Sequence, residues 1–248
     1  MKKMFNNDYP SVTKILDVLR KAGLEWWFKT NTPEFIEEES KKGLLIGKQI
    51  HQIVQQHIEK EKIEFETDYP TEVENAVKSF FLFRKEYPQI NLNAAEMFVT
   101  SEKHKYNGKV DCLGTEKKEL ILIDWKTGKC NVGTKKESDS PVIYPEHCYQ
   151  ATAYVKAYNE QEGMNIERAR IVAVAKDKVS YSTLILLKDA MEEIFNEIFL
   201  PALKIWNYQR GENYGEQRGE QKGRNGVGRD SQTGGRYNQQ SNNLPSSF

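Results

Sequence analysis

The tripeptide Asp124-Trp125-Lys126 closes a strongly apolar run, Leu120-Ile121-Leu122-Ile123. Side chains alternate along a strand, so Asp124 and Lys126 share one face and Trp125 takes the other. A carboxylate and an ammonium at the end of a buried strand are costly unless chemistry uses them or the strand emerges into water there. Upstream, Gly108-Lys109-Val110-Asp111 lies on a second strand pattern. If the two strands form a hairpin turning at Lys117-Lys118, Glu116 faces Glu119 and Asp111 faces Asp124. Facing carboxylates repel, and one is driven to protonate unless a cation joins them. A divalent metal is the economical explanation, and oxygen-rich ligation favours Mg²⁺ or Mn²⁺. The turn lacks the Asn-Gly or Asp-Gly of a two-residue loop, but a register shift of two would keep the same faces.

Two helical segments offer further groups. In Gly47-Lys48-Gln49-Ile50-His51 the glycine lies one turn before the histidine. Its missing side chain would let the helix approach the sheet and leave room for the imidazole; a packing glycine beside a half-buried histidine reads the same way. His57, on the same helix, has no comparable context. In Gln150-Ala151-Thr152-Ala153-Tyr154 the amide and the phenol share a helix face and suit contact with a phosphate or a base. Glu96, on the first strand pattern, either assists the site or faces water.

Elements must position these groups. Ser11 reads as the N-cap of a helix through about Lys21 that Gly23 ends, followed by the Trp26-Trp27-Phe28 cluster. Residues 33–60 read as helix interrupted near Gly43, its second part carrying Leu45, Ile46, Ile50, Ile53, Val54 and Ile58 at helical spacing. A further helix is expected from Thr71 to Tyr87. Strands are expected at Ala95–Thr100, Tyr106–Gly114 and Leu120–Lys126, then a helix at Pro145–Asn159. Strands near Ile166–Ala175 and Val179–Leu187 and a helix from Lys188 to Trp206 complete a mixed α/β (α+β) domain.

The motif order is GxxxH, Glu, GxxD, DxK, QxxxY. It reads Gly47…His51, Glu96, Gly108…Asp111, Asp124…Lys126, Gln150…Tyr154, and it resembles the RecB-like branch of the PD-(D/E)XK nuclease superfamily. The opening Tyr9-Pro10-Ser11-Val12-Thr13, followed by the tryptophans, is similar to single-domain members such as those like mitochondrial genome maintenance exonuclease. The resemblance spans residues 9–190. It implies a restriction-endonuclease-like αβββαβ core and metal-dependent hydrolysis of DNA. The implied setting is exonuclease action on single-stranded DNA in replication, recombination or repair. Asp111, Asp124 and His51 are then metal ligands, with the backbone carbonyl of Trp125 as a further one. Lys126 orients or activates the attacking water, and Gln150 and Tyr154 contact the nucleic acid. Iron–sulfur members place one cysteine before the core and three after it; Cys112, Cys130 and Cys148 do not follow that pattern, so no cluster is expected. A GxxxxGK[ST] loop is also lacking, so any helicase partner is a separate chain. Two alternatives are a structure-selective endonuclease on the same core and a non-catalytic nucleic-acid-binding protein.

The 36 basic residues balance 36 acidic ones, so any nucleic-acid groove must be local. With no signal segment and no long apolar run, a cytoplasmic protein without membrane contact is expected. Residues 1–207 are expected to form the nuclease domain, with a helical part to about 92 and a catalytic core at 93–207. Residues 208–248 hold eight of the sixteen glycines beside Gln, Asn and Arg and little to bury, and are expected to be disordered. That tail, through Tyr214 and Tyr237 or its last residues Leu244–Phe248, offers a loose strand contact or a docking peptide for a protein partner.

Overall fold

The computed structural model describes residues 6–19, 22–60, 69–130 and 139–211, with side chains from residue 24 onward in the second span. The expectations placed on the tail beyond Gly211 therefore lie outside the described residues. A five-stranded sheet organises the chain in sequential order: β1 (Asn91–Ser101), β2 (Tyr106–Glu116), β3 (Glu119–Gly128), β4 (Arg168–Ala175) and β5 (Tyr181–Leu187). All neighbours are antiparallel except β3 and β4, which run parallel. A parallel pair needs a crossover, and α5 (Pro145–Glu162) supplies it. This is the expected mixed α+β architecture with its αβββαβ core.

Hydrophobic patterning assigns the two sheet faces. One face presents Cys112, Ile121, Ile123, Trp125, Val172 and Val174 to α3 (Pro33–Ile58) and α4 (Thr71–Glu86). Those helices bury Ile46, Ile50, Ile53 and Val54, and Val73, Phe80 and Phe83, against it. The other face carries Val99, Tyr106, Val110, Leu113, Leu122 and Ile171 under α1 (Val12–Leu16), α5 and the C-terminal helices. The alternation of β3 is thus used on both sides: the side of Ile121, Ile123 and Trp125 faces α3 and α4, and that of Leu122 faces α5.

Three local expectations need correction. The first helix stops at Leu16, because the amides of Val18 and Leu19 turn back onto the carbonyls of Ile15 and Leu16, three residues away. Gly23 accordingly lies inside α2 (Ala22–Thr30) rather than ending α1. Nor is α3 interrupted at Gly43; it runs unbroken for 26 residues. A helical glycine costs only about 1 kcal/mol, less than the five-residue apolar stripe downstream returns by burial. The last helix is the third case. It runs as α6 (Lys188–Ile194), a π-helical turn at Phe195–Phe199, and α7 (Leu200–Gln209). Pro201 has no N–H to give the preceding turn, and the Leu200 amide reaches five residues back to Phe195.

The β2–β3 hairpin matches its expected register. Glu116 pairs with Glu119, Leu113 with Leu122 and Cys112 with Ile123. Its turn residues Lys117 and Lys118 have φ of 51° and 71°, the left-handed pair of a type I′ turn built without asparagine or glycine.

Candidate active site

The β2–β3 ladder ends at Cys112–Ile123, one pair short of Asp111 and Asp124. The Asp111 carboxylate lies in the opening that follows, its Oδ2 accepting the backbone N–H of Trp125 at 2.9 Å. Its Oδ1 is 3.5 Å from Nδ1 of His51, which α3 brings over the sheet edge. The same imidazole nitrogen is 3.7 Å from Oε1 of Glu96 on β1. Each of the three residues offers one ligand atom, and these atoms lie within 4.8 Å of one another. Two carboxylates and an imidazole, all half-buried, form a donor set that fits a divalent cation.

Glu96 reaches this point through an unusual backbone. It lies on β1 between the pairs Ala95–Cys112 and Met97–Val110, with φ of 55°. A glutamate in the left-handed region costs on the order of 1–3 kcal/mol unless its surroundings hold it there. Here Lys109, whose register partner on β1 is Phe98, forms an ion pair with the Glu96 carboxylate. The left-handed residue re-aims the side chain toward Asp111 and His51, as a bulge does beside an active site.

Asp124 and Lys126 lie on the face toward α5. Asp124 is fully buried, in register with Ile171 of β4; its Oδ2 is 2.6 Å from the Lys126 ammonium, and its Oδ1 has no hydrogen bond. Burial raises the Asp124 carboxyl well above the carboxylate range, and the nearby charge of Asp111 adds to that, against the pull of Lys126. For Lys126 burial opposes the charge, but Asp124 and Asp111 more than offset it and raise its pKa, so it stays an ammonium. The Asp124 oxygens are not in the close trio, yet the charges of His51 and Asp111 both act on Asp124, so the two groups form one electrostatic unit.

Gln150 and Tyr154 lie on α5 beside this pair. Gln150 donates to the Tyr154 hydroxyl at 2.6 Å. Tyr154 is only 5% exposed, and burial, with the nearby Asp124 charge, pushes its phenol up in pKa. Gln150, half-buried, is the more exposed member. Gly108 is explained by the same ring: a Cβ there would meet Tyr154 Cδ1 at 2.5 Å and Val99 Cγ2 at 3.1 Å. Replacing Gly108 by alanine is expected to cost about 1–3 kcal/mol, read as a lower urea midpoint at unchanged slope. Gly47 behaves differently, since a Cβ there would touch only Thr127 Oγ1 at 3.9 Å, an ordinary contact. Close helix–sheet approach therefore does not require glycine at this position.

The profile of the PD-(D/E)XK nuclease superfamily matches residues 15–202, most of the chain. This protein belongs to the PD-(D/E)XK nuclease superfamily. It is accordingly a hydrolytic nuclease, and its family implies a divalent metal. Among solved structures, a protein from Eubacterium rectale provisionally designated an exonuclease is similar at 13% identity and a TM-score of 0.52, over 84% of this chain and 88% of that one. An alkaline exonuclease from Laribacter hongkongensis is 14% identical with a TM-score of 0.39, over 86% and 94% of the two chains. The first supports the fold. The search of curated proteins found no match.

Two neighbours of this PD-(D/E)XK site escaped the sequence reading. Lys109 shares a strand face with Asp111 by simple alternation, which is the signal that would have found it. His147 precedes Gln150 and Tyr154 by one and two helical turns, and Tyr144 N–H donates to its Nδ1 at 3.3 Å. Burial, helped by the Lys126 charge, lowers its pKa from 6.5 to about 4. The unfolded chain binds this proton more readily, so stability is full above about pH 6.5 and falls as pH drops toward 4. The loss is on the order of 3 kcal/mol. Denaturant titrations at pH 7 and 4 should show this component disappear in His147→Gln.

Among the described residues, no helix is long and apolar enough to cross a membrane.

Proposed function

We propose that this nuclease hydrolyses DNA as a divalent-metal-dependent exonuclease acting on single strands, with Mg²⁺ or Mn²⁺ held by His51, Glu96 and Asp111 and joined by Asp124 and the Trp125 carbonyl. The observation that carries the reading is the placement of an acid–acid–imidazole trio beside a buried Asp124–Lys126 pair where two strands part. A divalent cation bound there supplies Lewis acidity, polarising the phosphate and acidifying water. Lys126, held as an ammonium, orients the attacking water and meets the negative charge that develops on the phosphoryl oxygens. Asp124 fixes Lys126 by the 2.6 Å contact, and Asp111 keeps its place through the Trp125 amide. Water attacks phosphorus in line and gives up a proton to solvent, the bond to the leaving oxygen breaks, and that oxygen takes a proton from solvent. Gln150 contacts the nucleic acid beside the scissile bond, with Tyr154 fixing its amide from below. Replication, recombination or repair is the setting that suits a strand-degrading enzyme of this branch.

The deciding experiment is cleavage of end-labelled single-stranded and duplex DNA, linear and circular, in Mg²⁺, Mn²⁺ or EDTA. Metal-dependent loss of linear single strands alone supports the proposal, and the label's position gives the polarity. Cutting of circles would replace it with an endonuclease on the same site. Binding without cleavage of any of these DNAs would overturn it.

A further inference from the structure

A cleft of about 690 Å³ opens onto the metal-binding trio, within the range that holds a nucleotide-sized ligand. It is lined by the trio Glu96, Asp111 and His51, by the polar face of α3, which forms a wall, and by Lys109 of β2. That wall consists of Lys48, Gln52, Gln55 and Gln56 of α3 with its C-cap Glu59, at spacings that put them on one helix stripe. From Lys48 to Glu59 the stripe is roughly 16 Å long, about four to five stacked nucleotides at the rise of ~3.4 Å per strand.

The chemistry of this wall is selective. Lys48 and Lys109 face three carboxylates, Glu59, Glu96 and Asp111, so the cleft is net acidic until a divalent cation reverses its sign. A phosphate strand then enters only beside the metal, with the two lysines flanking it. Lys109 is held in place for this, paired with Glu96 and 5.8 Å from the centre of the Phe98 ring. Beyond Lys48 the wall offers amides, groups that donate and accept at once and can meet the mixed edge of any base. Gln55 is oriented by donating to Glu59 at 3.0 Å. Gln52 is exposed and Gln56 half-buried, both lining the cleft. An unpaired strand also offers its Watson–Crick edges to such amides, edges that pairing hides in a duplex.

We infer that Gln52 and Gln56, flanked by Lys48 and Lys109, form a subsite for the unpaired bases of the strand whose phosphate lies on the metal. The subsite is sequence-tolerant and explains a single-strand preference by base-edge contact rather than by exclusion of a duplex. This rests on the nuclease reading above, but its readout is binding, not turnover.

The test uses the full chain in Mg²⁺ and a labelled 12-nucleotide phosphorothioate strand, which resists hydrolysis, beside an abasic counterpart and the matching duplex. The base-bearing strand should bind about tenfold more tightly than the other two. Gln52→Ala with Gln56→Ala should remove that difference while leaving abasic binding unchanged. Gln52→Met with Gln56→Met, which keeps the charge and approximate side-chain length but loses the polar groups, should do the same and covers a failure of the alanine variant to fold. Equal binding of abasic and base-bearing strands, or a preference retained in both variants, overturns the subsite. Hydrolysis of an ordinary strand by the unmodified chain is scored separately. Hydrolysis without base preference sinks the subsite alone, and base preference without hydrolysis sinks the nuclease proposal alone.

Discussion

Lys126→Ala is expected to lower DNA hydrolysis by at least about 10³-fold, the scale seen when a preorganised group that stabilises the transition state is removed. The effect on the fold has a different origin. The Lys126 ammonium lies 2.6 Å from a carboxylate with no exposure at all, so its loss leaves the Asp124 charge buried and unmatched. Removing one member of such a pair costs up to about 3–5 kcal/mol, reduced here because Asp124 can take a proton instead. Chemistry and stability can therefore be separated. Asp124→Asn combined with Lys126→Met should recover much of the stability lost in Lys126→Ala while remaining inactive. Single-turnover cleavage and urea denaturation of the two variants beside the unchanged protein check this. Near-normal turnover in Lys126→Ala would remove the assigned site.

The second large effect is expected at Asp111. Asp111→Asn should weaken Mn²⁺ binding by at least about 100-fold, beyond the 10–100-fold typical of groups that merely support a ligand, and should abolish cleavage at ordinary metal concentrations. Its amide oxygen can still accept the Trp125 N–H, so folding should change little. Asp111→Ala should match it in activity and be less stable, since that N–H then loses its acceptor. Calorimetric titration with Mn²⁺ and thermal melts distinguish the two. Unchanged Mn²⁺ affinity in Asp111→Asn would place the metal elsewhere.

Strong, regular signals carried most of the fold. The apolar run before Asp124 marked a buried strand, and helical spacing of isoleucines marked α3. The hairpin register came from pattern alone, although Lys117-Lys118 lacks the usual turn chemistry. What escaped were features where tertiary contacts decide. Gly43 looked like a break because its intrinsic cost is visible in sequence and the burial that offsets it is not. Gly47 and Gly108 appeared alike in their motifs, but only Gly108 has an aromatic ring against its α-carbon. Glu96 was left between two roles because a positive φ on a strand glutamate has no sequence signature. The α3 glutamines belong to no motif of the sequence, and only the cleft puts them beside the trio.

The lysine turn of the hairpin also decides how the protein tolerates insertions. Five paired rungs, about 17 Å at ~3.4 Å each, separate that turn from the parting strands where Asp111 and Asp124 lie. A strand has a period of two, so slipping by one residue transfers every side chain to the opposite face. An insertion absorbed as a one-residue slip of β2 against β3 would thus undo the placement of Asp111 beside Asp124 without altering either amino acid. Even-numbered changes would preserve the facing. The register set at this remote turn is in this sense a parity lock, and a length change there is harmless only where the loop absorbs it and leaves the five pairs in place.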